Sequence, residues 1–375
     1  MVNRLTPISA ALLAPVEVVT DLLTPRIRAP RSFEDLSPRW LEQALSLPVG
    51  SVTGSAAREI DHGTSLRVRL EVFHGDHSTT VFVKQTPTRI PARLFNIAAR
   101  LCQHEVHFYR HWASESGCAP DALAAQWHSP TARSTLVLPD LQSAGFDFLQ
   151  VADRCTPDQA ALAVETFARL HRRFWKSSQF NDAAEYLPAN SLANVGTPLL
   201  CHYLGSTPET IGQQVPAAFA AEARILRTRA RAMNPLFNSF DQTLLHNDSH
   251  QGNIAFRNDR AVLIDWQISI IGSALKDFAY FMSTLDTDVR RVHERELLGH
   301  YLDVLAAGDG PVIVWDDAWR AYQILAITGF IAAATTALFG DRLQNPANAK
   351  AGLERSATAL IDLESFKAVQ QQLDT

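Results

Sequence analysis

The stretch LLHNDSHQGNIAF, residues 244–256, places a dense group of polar side chains between two apolar ends. It holds two histidines, an aspartate, two asparagines and a glycine, flanked by Leu244-Leu245 and by Ile254-Ala255-Phe256. We interpret the apolar ends as two short strands and the polar centre as a loop held rigid between them. An ordinary turn needs only turn-forming residues. A carboxylate with a histidine on either side, at Asp248, therefore indicates a chemical role.

A second carboxylate follows downstream, in the predicted strand AVLIDWQ. Asp265 lies seventeen residues after Asp248, and two strands joined by a tight connection bring residues at such a spacing back alongside each other. Asp248, Asn253 and Asp265 would then form a cluster of hard oxygen atoms. Mg²⁺ prefers such ligands together with water and phosphate. The sequence therefore predicts a magnesium site in which the remaining loop aspartate is free to orient a nucleophilic hydroxyl.

Composition narrows the class of protein. The 375 residues are 46% apolar, enough for two domains or one bilobal unit with a packed core. A net charge of −5 argues against a general nucleic-acid binder, which would present a basic face. The four cysteines are widely spaced and form no CxxC pair, so we interpret them as reduced thiols of a cytoplasmic protein.

Two apolar segments resemble targeting or membrane sequences. The run ALLAPV, residues 11–16, is broken by Pro15 and followed by Glu17 and Asp21, so we do not expect a signal peptide. ILAITGFIAAATTALF, residues 324–339, falls short of a bilayer span and contains a glycine and three threonines. That length favours a buried helix, and we expect no membrane span.

The period of the apolar residues changes along the chain. Residues 1–50 read as a helical N-terminal extension, with Ser37 or Asp35 as a helix cap. Residues 51–140 alternate between apolar and polar, which predicts an antiparallel sheet, and include one helix over residues 92–114. Residues 141–375 repeat mostly at helical spacing. The fold class predicted is α+β, with a strand-rich part followed by a larger helical part.

The segments HNDSHQGNI, LIDWQ and GSALKDFAYF together follow the H-x-D-x-x-x-x-N…D pattern of the protein-kinase-like phosphotransferases. They resemble the aminoglycoside phosphotransferase group, and DWQ with LHRRFW (170–175) is most similar to its ecdysteroid-kinase-like, or CHK-like, branch. The resemblance covers roughly residues 50–340. It implies a bilobal kinase-like fold: a nucleotide-binding N-lobe over 51–140 and a C-lobe with catalytic loop and substrate site over 141–375.

Matching residue by residue, the resemblance implies a role for each polar position of the loop. Asp248 would be the catalytic aspartate that orients or deprotonates the substrate hydroxyl. Asn253 and Asp265 would hold Mg²⁺ against the phosphates of ATP. His246 would brace the loop, and Asp277 would support it from the following helix. His250 matches a histidine common in small-molecule kinases, and it would serve either the loop geometry or the acceptor.

The N-lobe would supply the groups that bind the nucleotide. Lys84 is the single lysine among the first 140 residues, and a compact ammonium on a strand suits a position between phosphates. The resemblance implies that Glu105 on the next helix holds this lysine. The remaining nucleotide-binding residues implied are Gly63, Thr64, Ser65 and Leu138, the first three as a phosphate-binding turn.

Two positions differ from the family pattern. Pro139 stands where the family usually has an acidic residue, and proline has no N–H. Adenine would then need backbone groups of Leu138 or Leu141, and GTP is not excluded as the nucleotide. Asn247 stands where the family commonly has glycine.

The resemblance implies ATP-dependent phosphorylation of a small-molecule hydroxyl, and the acceptor lobe bears on which one. Residues 141–375 hold 26 acidic and 20 basic residues, a net of −6, a mild excess for capture of a polycationic aminoglycoside. The aromatic content between residues 174 and 240 favours a hydrophobic or sterol-like alcohol. These aromatic residues are Phe174, Trp175, Phe180, Tyr186, Tyr203, Phe219 and Phe237.

Two other classes remain as alternatives to that function, beside an antibiotic kinase. A non-catalytic nucleotide-binding regulator would typically lack one of the residues implied in catalysis, and Lys84, Glu105, Asp248, Asn253 and Asp265 are all present. A protein kinase is disfavoured because the chain has no GxGxxG loop and no A-P-E-like segment after DWQ. The sequence does not indicate the oligomeric state.

Overall fold

The computed structural model describes residues 7–24, 30–179, 191–206, 209–339 and 345–374. The chain divides into two compact units. Unit 1 comprises Met1–Phe146 with Asp265–Ile268, and unit 2 comprises Asp147–Ile264 with Ser269–Thr375. As predicted, the fold is α+β, with the large sheet in the N-terminal part and mostly helices in the C-terminal part.

Unit 1 is built on an antiparallel sheet in which the strands lie in the order β1-β2-β3-β5-β4. Apolar residues of β2 alternate with less buried polar ones, as expected of strands with one face on the core. The turn between β2 and β3 is only Gly75-Asp76, and Gly75 has φ +53°, a conformation that favours glycine. The strands are β1 (Val52–His62), β2 (Leu66–His74), β3 (His77–Gln85), β4 (Ala124–His128) and β5 (Arg133–Pro139).

The helices of unit 1 correct one prediction. The single helix expected over residues 92–114 is wrong, because the chain breaks at Arg100, whose φ is 56°. Asn96 Oδ1 accepts a hydrogen bond of 3.3 Å from the backbone N–H of Cys102, in the first turn of the next helix, where backbone N–H groups have no partner within the helix. The helices are α1 (Pro7–Leu23), α2 (Pro38–Ala44), α3 (Ile90–Ala99), α4 (Leu101–His111) and α5 (Ala113–Ser116).

A buried carboxylate attaches α1 to the rest of unit 1. Asp21 Oδ2 accepts hydrogen bonds from Arg93 on α3 at 2.6 Å and from Arg133 on β5 at 2.9 Å, and all three side chains are buried. A further bond of 3.0 Å joins Arg133 Nε to Asp21 Oδ1. Burial works to raise the pKa of Asp21, but Arg133 and Arg93 hold it below its usual range. Helix α1 is therefore an integral part of unit 1.

Substitution of Asp21 tests this attachment. We expect Asp21→Asn to lower the free energy of unfolding by about 3–5 kcal/mol, because it leaves two buried guanidinium groups without their carboxylate. Since the folded pKa of Asp21 is depressed, its stabilisation is complete above its unfolded pKa of about 3.9 and is lost as pH falls through the folded pKa. Urea unfolding at pH 7 and pH 3 measures both effects.

The variant should therefore lose less stability between pH 7 and pH 3 than the wild type does. Asp76→Asn is the matched control, because Asp76 is exposed in the turn between β2 and β3. We expect the control to stay within about 0.5 kcal/mol of wild type. A comparably small change for Asp21→Asn would contradict the proposed attachment.

Unit 2 is mostly helical in its described residues. Its first helix, α6, starts at a capping box in which Thr156 and Gln159 bond each other's backbone N–H groups. The helices are α6 (Pro157–Arg173), α7 (Ser191–Leu204), α8 (Glu209–Gly212), α9 (Ala217–Glu222), α10 (Arg224–Thr228), α11 (Ala230–Phe237), α12 (Leu275–Thr284), α13 (Thr287–Ala306), α14 (Trp315–Phe339), α15 (Pro346–Asp362) and α16 (Ser365–Asp374).

Short strands hold the polar stretch of residues 244–256. The strands predicted at its ends are present, but they pair with different partners rather than with each other. Strand β7 pairs with β10, and β8 pairs with both β9 and β6, so each end of the loop is fastened to a separate small sheet. The strands are β6 (Asp147–Phe148), β7 (Gln242–Leu245), β8 (Ile254–Arg257), β9 (Arg260–Leu263) and β10 (Ile270–Ser273).

The apolar segment of residues 324–339 forms the second half of α14. By length and composition alone, residues 315–338 are able to cross a membrane, a test that the core helix of a soluble protein also meets. Of the most apolar 18-residue window of this helix, 56% is buried within the protein. A Cβ at Gly329 would lie only 3.1 Å from Tyr280 Cδ2 on α12. The glycine therefore lets the two helices pack closely.

Candidate active site

Unit 1 contains a buried charge cluster around Lys84. The ammonium lies on β3, 2.8 Å from a Glu105 carboxylate oxygen on α4 and 2.7 Å from Asp265 Oδ1. Burial alone would lower the pKa of Lys84, but the carboxylates of Asp265 and Glu105 raise it above its usual range. Burial also raises the pKa of Glu105. The structure thus brings together the lysine, the glutamate and the aspartate singled out in the sequence.

Helix α4 also holds the residues that follow Asp265. The Glu105 carboxylate accepts a hydrogen bond from the backbone of Trp266, and the Trp266 ring stacks on Phe108 with a centroid distance of 3.8 Å. Asp265 itself has φ 63°, in the left-handed region that is uncommon for residues other than glycine, although aspartate and asparagine adopt it more often than most. Such strained positions persist where surrounding structure enforces them, and they concentrate at functional sites.

The turn of Gly63, Thr64 and Ser65 connects β1 to β2. The backbone carbonyl of Thr64 accepts a bond of 2.7 Å from Asn96 Nδ2, and its hydroxyl lies 3.2 Å from Gln267 Oε1. Ser65 is buried, and its hydroxyl has no hydrogen-bond partner among the described residues. Buried hydroxyls are normally satisfied. The orphaned oxygen of Ser65 is therefore suited to a ligand.

Leu138 lies near the end of β5, which pairs with β3 on one side and β4 on the other. Leu138 is buried and lies opposite Phe82 of β3. The next residue, Pro139, pairs with Val81, and the acidic residue of this region comes one position later. Arg69 donates to Asp140 at 2.8 Å. Burial works to raise the pKa of this carboxyl, but the hydrogen bonds from Ser143 and Arg69 hold it below its usual range. Asp140 therefore has a structural role, because its ion pair with Arg69 joins the end of β5 to β2.

In unit 2 the loop backbone is held by Asp277 on α12. Its carboxylate accepts hydrogen bonds of 2.7 Å from His246 N and 2.8 Å from Asn247 N. The Ser249 hydroxyl donates to the backbone carbonyl of Asp277 at 3.0 Å. Burial works to raise the pKa of Asp277, yet the bond from His171 and the other contacts hold it below its usual range. A fully buried, ionised carboxylate thus fixes the loop.

The side chain of His246 spans the loop. Asp248 N donates to His246 Nδ1 at 3.3 Å, so the neutral ring carries its proton on Nε2 and donates it to Ile264 O at 2.8 Å. The backbone of Asn253 accepts a bond of 3.0 Å from Ile264 N. Both ends of the loop are therefore tied to the residue that precedes Asp265 in the chain.

The conformation of Asn247 accounts for the second of the two departures from the family pattern. Its φ is 68°, a left-handed conformation. Glycine adopts this conformation without strain, and asparagine is among the few other residues that tolerate it. The backbone geometry that favours glycine in the family is therefore compatible with asparagine in this chain.

Asp248 and Asn253 lie in direct contact. Asn253 Nδ2 donates to Asp248 Oδ2 at 3.0 Å and to the Asp248 backbone carbonyl at 2.8 Å. The imidazole of His250 is close as well, with Nε2 3.7 Å from Asp248 Oδ1. Its other nitrogen, Nδ1, accepts a bond of 3.1 Å from Gly252 N and caps the 3₁₀ turn of Gln251–Asn253.

Sequence reasoning missed Tyr280, which also contacts Asp248. The Tyr280 hydroxyl donates to Asp248 Oδ1 at 3.1 Å. Burial, together with the charge of Asp248 and this hydrogen bond, raises the pKa of Tyr280 well above its usual value. Tyr280 lies three residues after Asp277 on the same helix. That spacing places two side chains on one helix face, and it is the signal that would have identified the tyrosine.

Of the seven aromatic residues singled out for an acceptor site, three are in the core. Phe174, Phe219 and Phe237 are buried, and Phe219 packs against other rings. Tyr203 is exposed and Trp175 is half-buried. The other two positions, 180 and 186, lie outside the described residues. Burial of three of these aromatics in the core makes them packing residues of unit 2.

The fold is one that kinases of small molecules share. Three solved structures share the fold: a choline/ethanolamine kinase family protein from Mesorhizobium loti, Plasmodium vivax ethanolamine kinase and a choline kinase from Cryptosporidium parvum. Their sequence identities are 16%, 13% and 12%, and their TM-scores are 0.52, 0.51 and 0.51. In the same order, the matched regions cover 88%, 81% and 85% of this chain and 97%, 81% and 90% of the other chain. At these identities the similarity shows the fold alone.

The family follows from the sequence itself. The profile of the ecdysteroid kinase-like family matches residues 62–308, more than half of the chain, and the chain belongs to that family. A search of curated proteins gave no match. The family and the fold together confirm the predicted resemblance and identify a small-molecule kinase.

Proposed function

We propose that the protein transfers the γ-phosphoryl group of ATP to a hydroxyl of a small molecule. The observation that carries the proposal is the Asp248 carboxylate, which receives hydrogen bonds from Asn253 and Tyr280 in a loop fixed by Asp277. Asp248 orients the acceptor hydroxyl and takes its proton as the bond to phosphorus forms. Positioning and charge stabilisation dominate phosphoryl transfer, which accounts for a site built to hold one carboxylate still.

The chemistry of the donor set supports a nucleotide with Mg²⁺. Lys84 lies between the carboxyl groups of Glu105 and Asp265. The side-chain nitrogen of Asn253 donates to Asp248, which leaves the side-chain oxygen Oδ1 of Asn253 for a cation. The described residues contain no group of three or more His, Cys, Asp or Glu side chains that could hold a metal alone. Asn253 and Asp265 would therefore bind Mg²⁺ jointly with phosphate and water, as this ion prefers.

Each nucleotide-binding residue has a separate task in this proposal. Bound Mg²⁺ supplies positive charge against the phosphates. Lys84 contributes a second cation, and Glu105 holds its ammonium in place. Ser65 offers a hydroxyl, and the backbone around Gly63 and Thr64 offers N–H groups. The backbone beside Leu138 would receive the base, with ATP as the expected nucleotide.

We infer a hydrophobic or sterol-like alcohol as the acceptor class. The support is the mild acidic excess of residues 141–375, which is small for a polycationic antibiotic. Incubation with γ-labelled ATP, Mg²⁺ and a panel of alcohols tests it: an ecdysteroid, choline, ethanolamine and an aminoglycoside. A labelled ecdysteroid is the expected product. Label on the aminoglycoside instead would overturn the acceptor class, and no label on any alcohol together with no release of ADP would overturn catalysis.

The metal assignment makes its own prediction. Mg²⁺ should enlarge the rise in thermal midpoint caused by ATP, because ligand at about 100 times its Kd stabilises by about 2.7 kcal/mol. We expect Asn253→Ala and Asp265→Asn to lose the part of that rise that depends on Mg²⁺. Asp259→Asn, in the exposed turn between β8 and β9, is the matched control and should behave as wild type. An undiminished Mg²⁺ effect in both site variants would exclude the assignment.

A further inference from the structure

Helix α12 contacts the loop of residues 246–253 from two successive turns. Asp277 binds the loop backbone, and one turn later the Tyr280 hydroxyl donates to the side chain of Asp248 at 3.1 Å. Tyr280 lies close to α14, since a Cβ at Gly329 would come within 3.1 Å of its Cδ2 and 3.2 Å of its Cα. The position of the hydroxyl is thereby set by helix packing.

The hydrogen bonds of His250 determine which of its nitrogens carries the proton. Because Gly252 N donates to Nδ1, this atom acts as the acceptor, and the neutral ring has its proton on Nε2. Nε2 faces Asp248 Oδ1 at 3.7 Å. His250 thus carries an N–H near the same oxygen that Tyr280 contacts, at a distance longer than a hydrogen bond, and in this tautomer it cannot accept a proton from the acceptor at Nε2.

The contacts to both oxygens of Asp248 restrict the rotation of its carboxylate. The terminal torsion of an aspartate is intrinsically broad, so a carboxylate rotates readily unless both oxygens are held. Asn253 holds Oδ2 at 3.0 Å, while Tyr280 and His250 face Oδ1. A hydroxyl that must meet one lone pair of Asp248 needs this torsion fixed.

We propose that Tyr280 and His250 are positioning residues that fix the rotation of the Asp248 carboxylate through Oδ1. The proposal rests on the proposed function, because it takes Asp248 as the residue that orients the acceptor hydroxyl. Neither residue is placed among those that bind the nucleotide, so their loss affects the chemical step and leaves the binding of ATP unchanged.

Tyr280→Phe tests the first donor, since it removes the hydroxyl and retains the ring that packs on α14. We expect kcat to fall about tenfold to a hundredfold, as for loss of a hydrogen bond to a charged group, with KM for ATP changed less than about threefold. Tyr322→Phe is the matched control, because Tyr322 also donates to a carboxylate at 3.1 Å, that of Glu294. The control should keep the wild-type kcat.

His250→Asn and His250→Ala separate the two contacts of the imidazole. Asparagine can still accept the bond from Gly252 N, as asparagine does in Asx turns, but it presents no donor that reaches Asp248. We therefore expect both variants to lose kcat to a similar extent. Full recovery of kcat in His250→Asn would show that His250 acts only through the turn and would overturn its part of the proposal.

The double variant Tyr280→Phe/His250→Asn probes the shared oxygen. Because both donors act on Oδ1, their effects on kcat should not multiply, and the double variant should be less impaired than the product of the single losses. Strict multiplication of the two losses would show that the residues act independently, which contradicts a common role at Oδ1.

The probe acceptor in these experiments is the panel alcohol that the wild type phosphorylates fastest, or water, followed as release of ADP, if none is phosphorylated. Asp248→Asn distinguishes a failure of the proposed function from a failure of the positioning role alone. Wild-type turnover in Asp248→Asn would reject the proposed function together with this proposal. An inactive Asp248→Asn beside a fully active Tyr280→Phe would reject the positioning role of the tyrosine alone.

Discussion

Asp248→Asn is expected to retain ATP binding and to lose turnover by about 10²–10⁴-fold. The substitution keeps the size of the side chain but replaces one acceptor oxygen with an NH₂ group. In the wild type both oxygens accept, Oδ2 from Asn253 and Oδ1 from Tyr280. A carboxamide satisfies only one of these donors and cannot take a proton from the acceptor. Both the orientation and the proton acceptance are therefore lost together.

The measurements are kcat with γ-labelled ATP and the thermal midpoint with and without Mg²⁺ and ATP. The nucleotide-dependent rise in the midpoint should survive in Asp248→Asn, because Asp248 is not among the residues assigned to the nucleotide. Asp259→Asn is the control for removing one acid from the same region and should turn over at the wild-type rate. A kcat within about threefold of wild type in Asp248→Asn would remove this residue from the mechanism.

The order of motifs in the sequence was enough to predict the fold class and the family. Several separated polar segments in the right order constrain the fold strongly, because they can act together only in a fold that brings all of them to one site. The pairing of the short strands could not be predicted from these patterns. Strands β7 and β8 flank one loop, yet each pairs with a strand that the local pattern does not specify, since period and length are the same for either pairing.

Contacts between distant positions explain the other omissions. The bonds from Asp21 to Arg93 and Arg133 join residues 72 and 112 positions apart, so nothing near α1 in the sequence reveals that it is docked. The break at Arg100 depends on the Asn96 side chain, which also binds the turn at Thr64. An apolar period describes which face of a helix is buried, and it does not report side-chain bonds that end a helix.

Lys84→Met should produce the second large effect, on stability as well as on activity. The variant removes the cation that lies within hydrogen-bond distance of Glu105 and Asp265 and leaves their charges uncompensated in unit 1. Loss of one partner from a buried pair destabilises by about 3–5 kcal/mol. We expect a fall of that size in the free energy of unfolding at pH 7, measured by urea. The exposed pair at Lys367 and Glu364 supplies the control Lys367→Met, which should change stability by less than about 1 kcal/mol.

The double variant Lys84→Met/Glu105→Gln decides whether uncompensated charge is the cause. Glutamine removes the buried charge that methionine leaves behind, and burial already raises the pKa of Glu105, which shows how poorly this position favours the anion. The double variant should therefore be more stable than Lys84→Met alone, while its turnover stays low because no ammonium remains for the phosphates. Destabilisation equal to the sum of the two single changes would instead assign the loss to packing around the lysine stem.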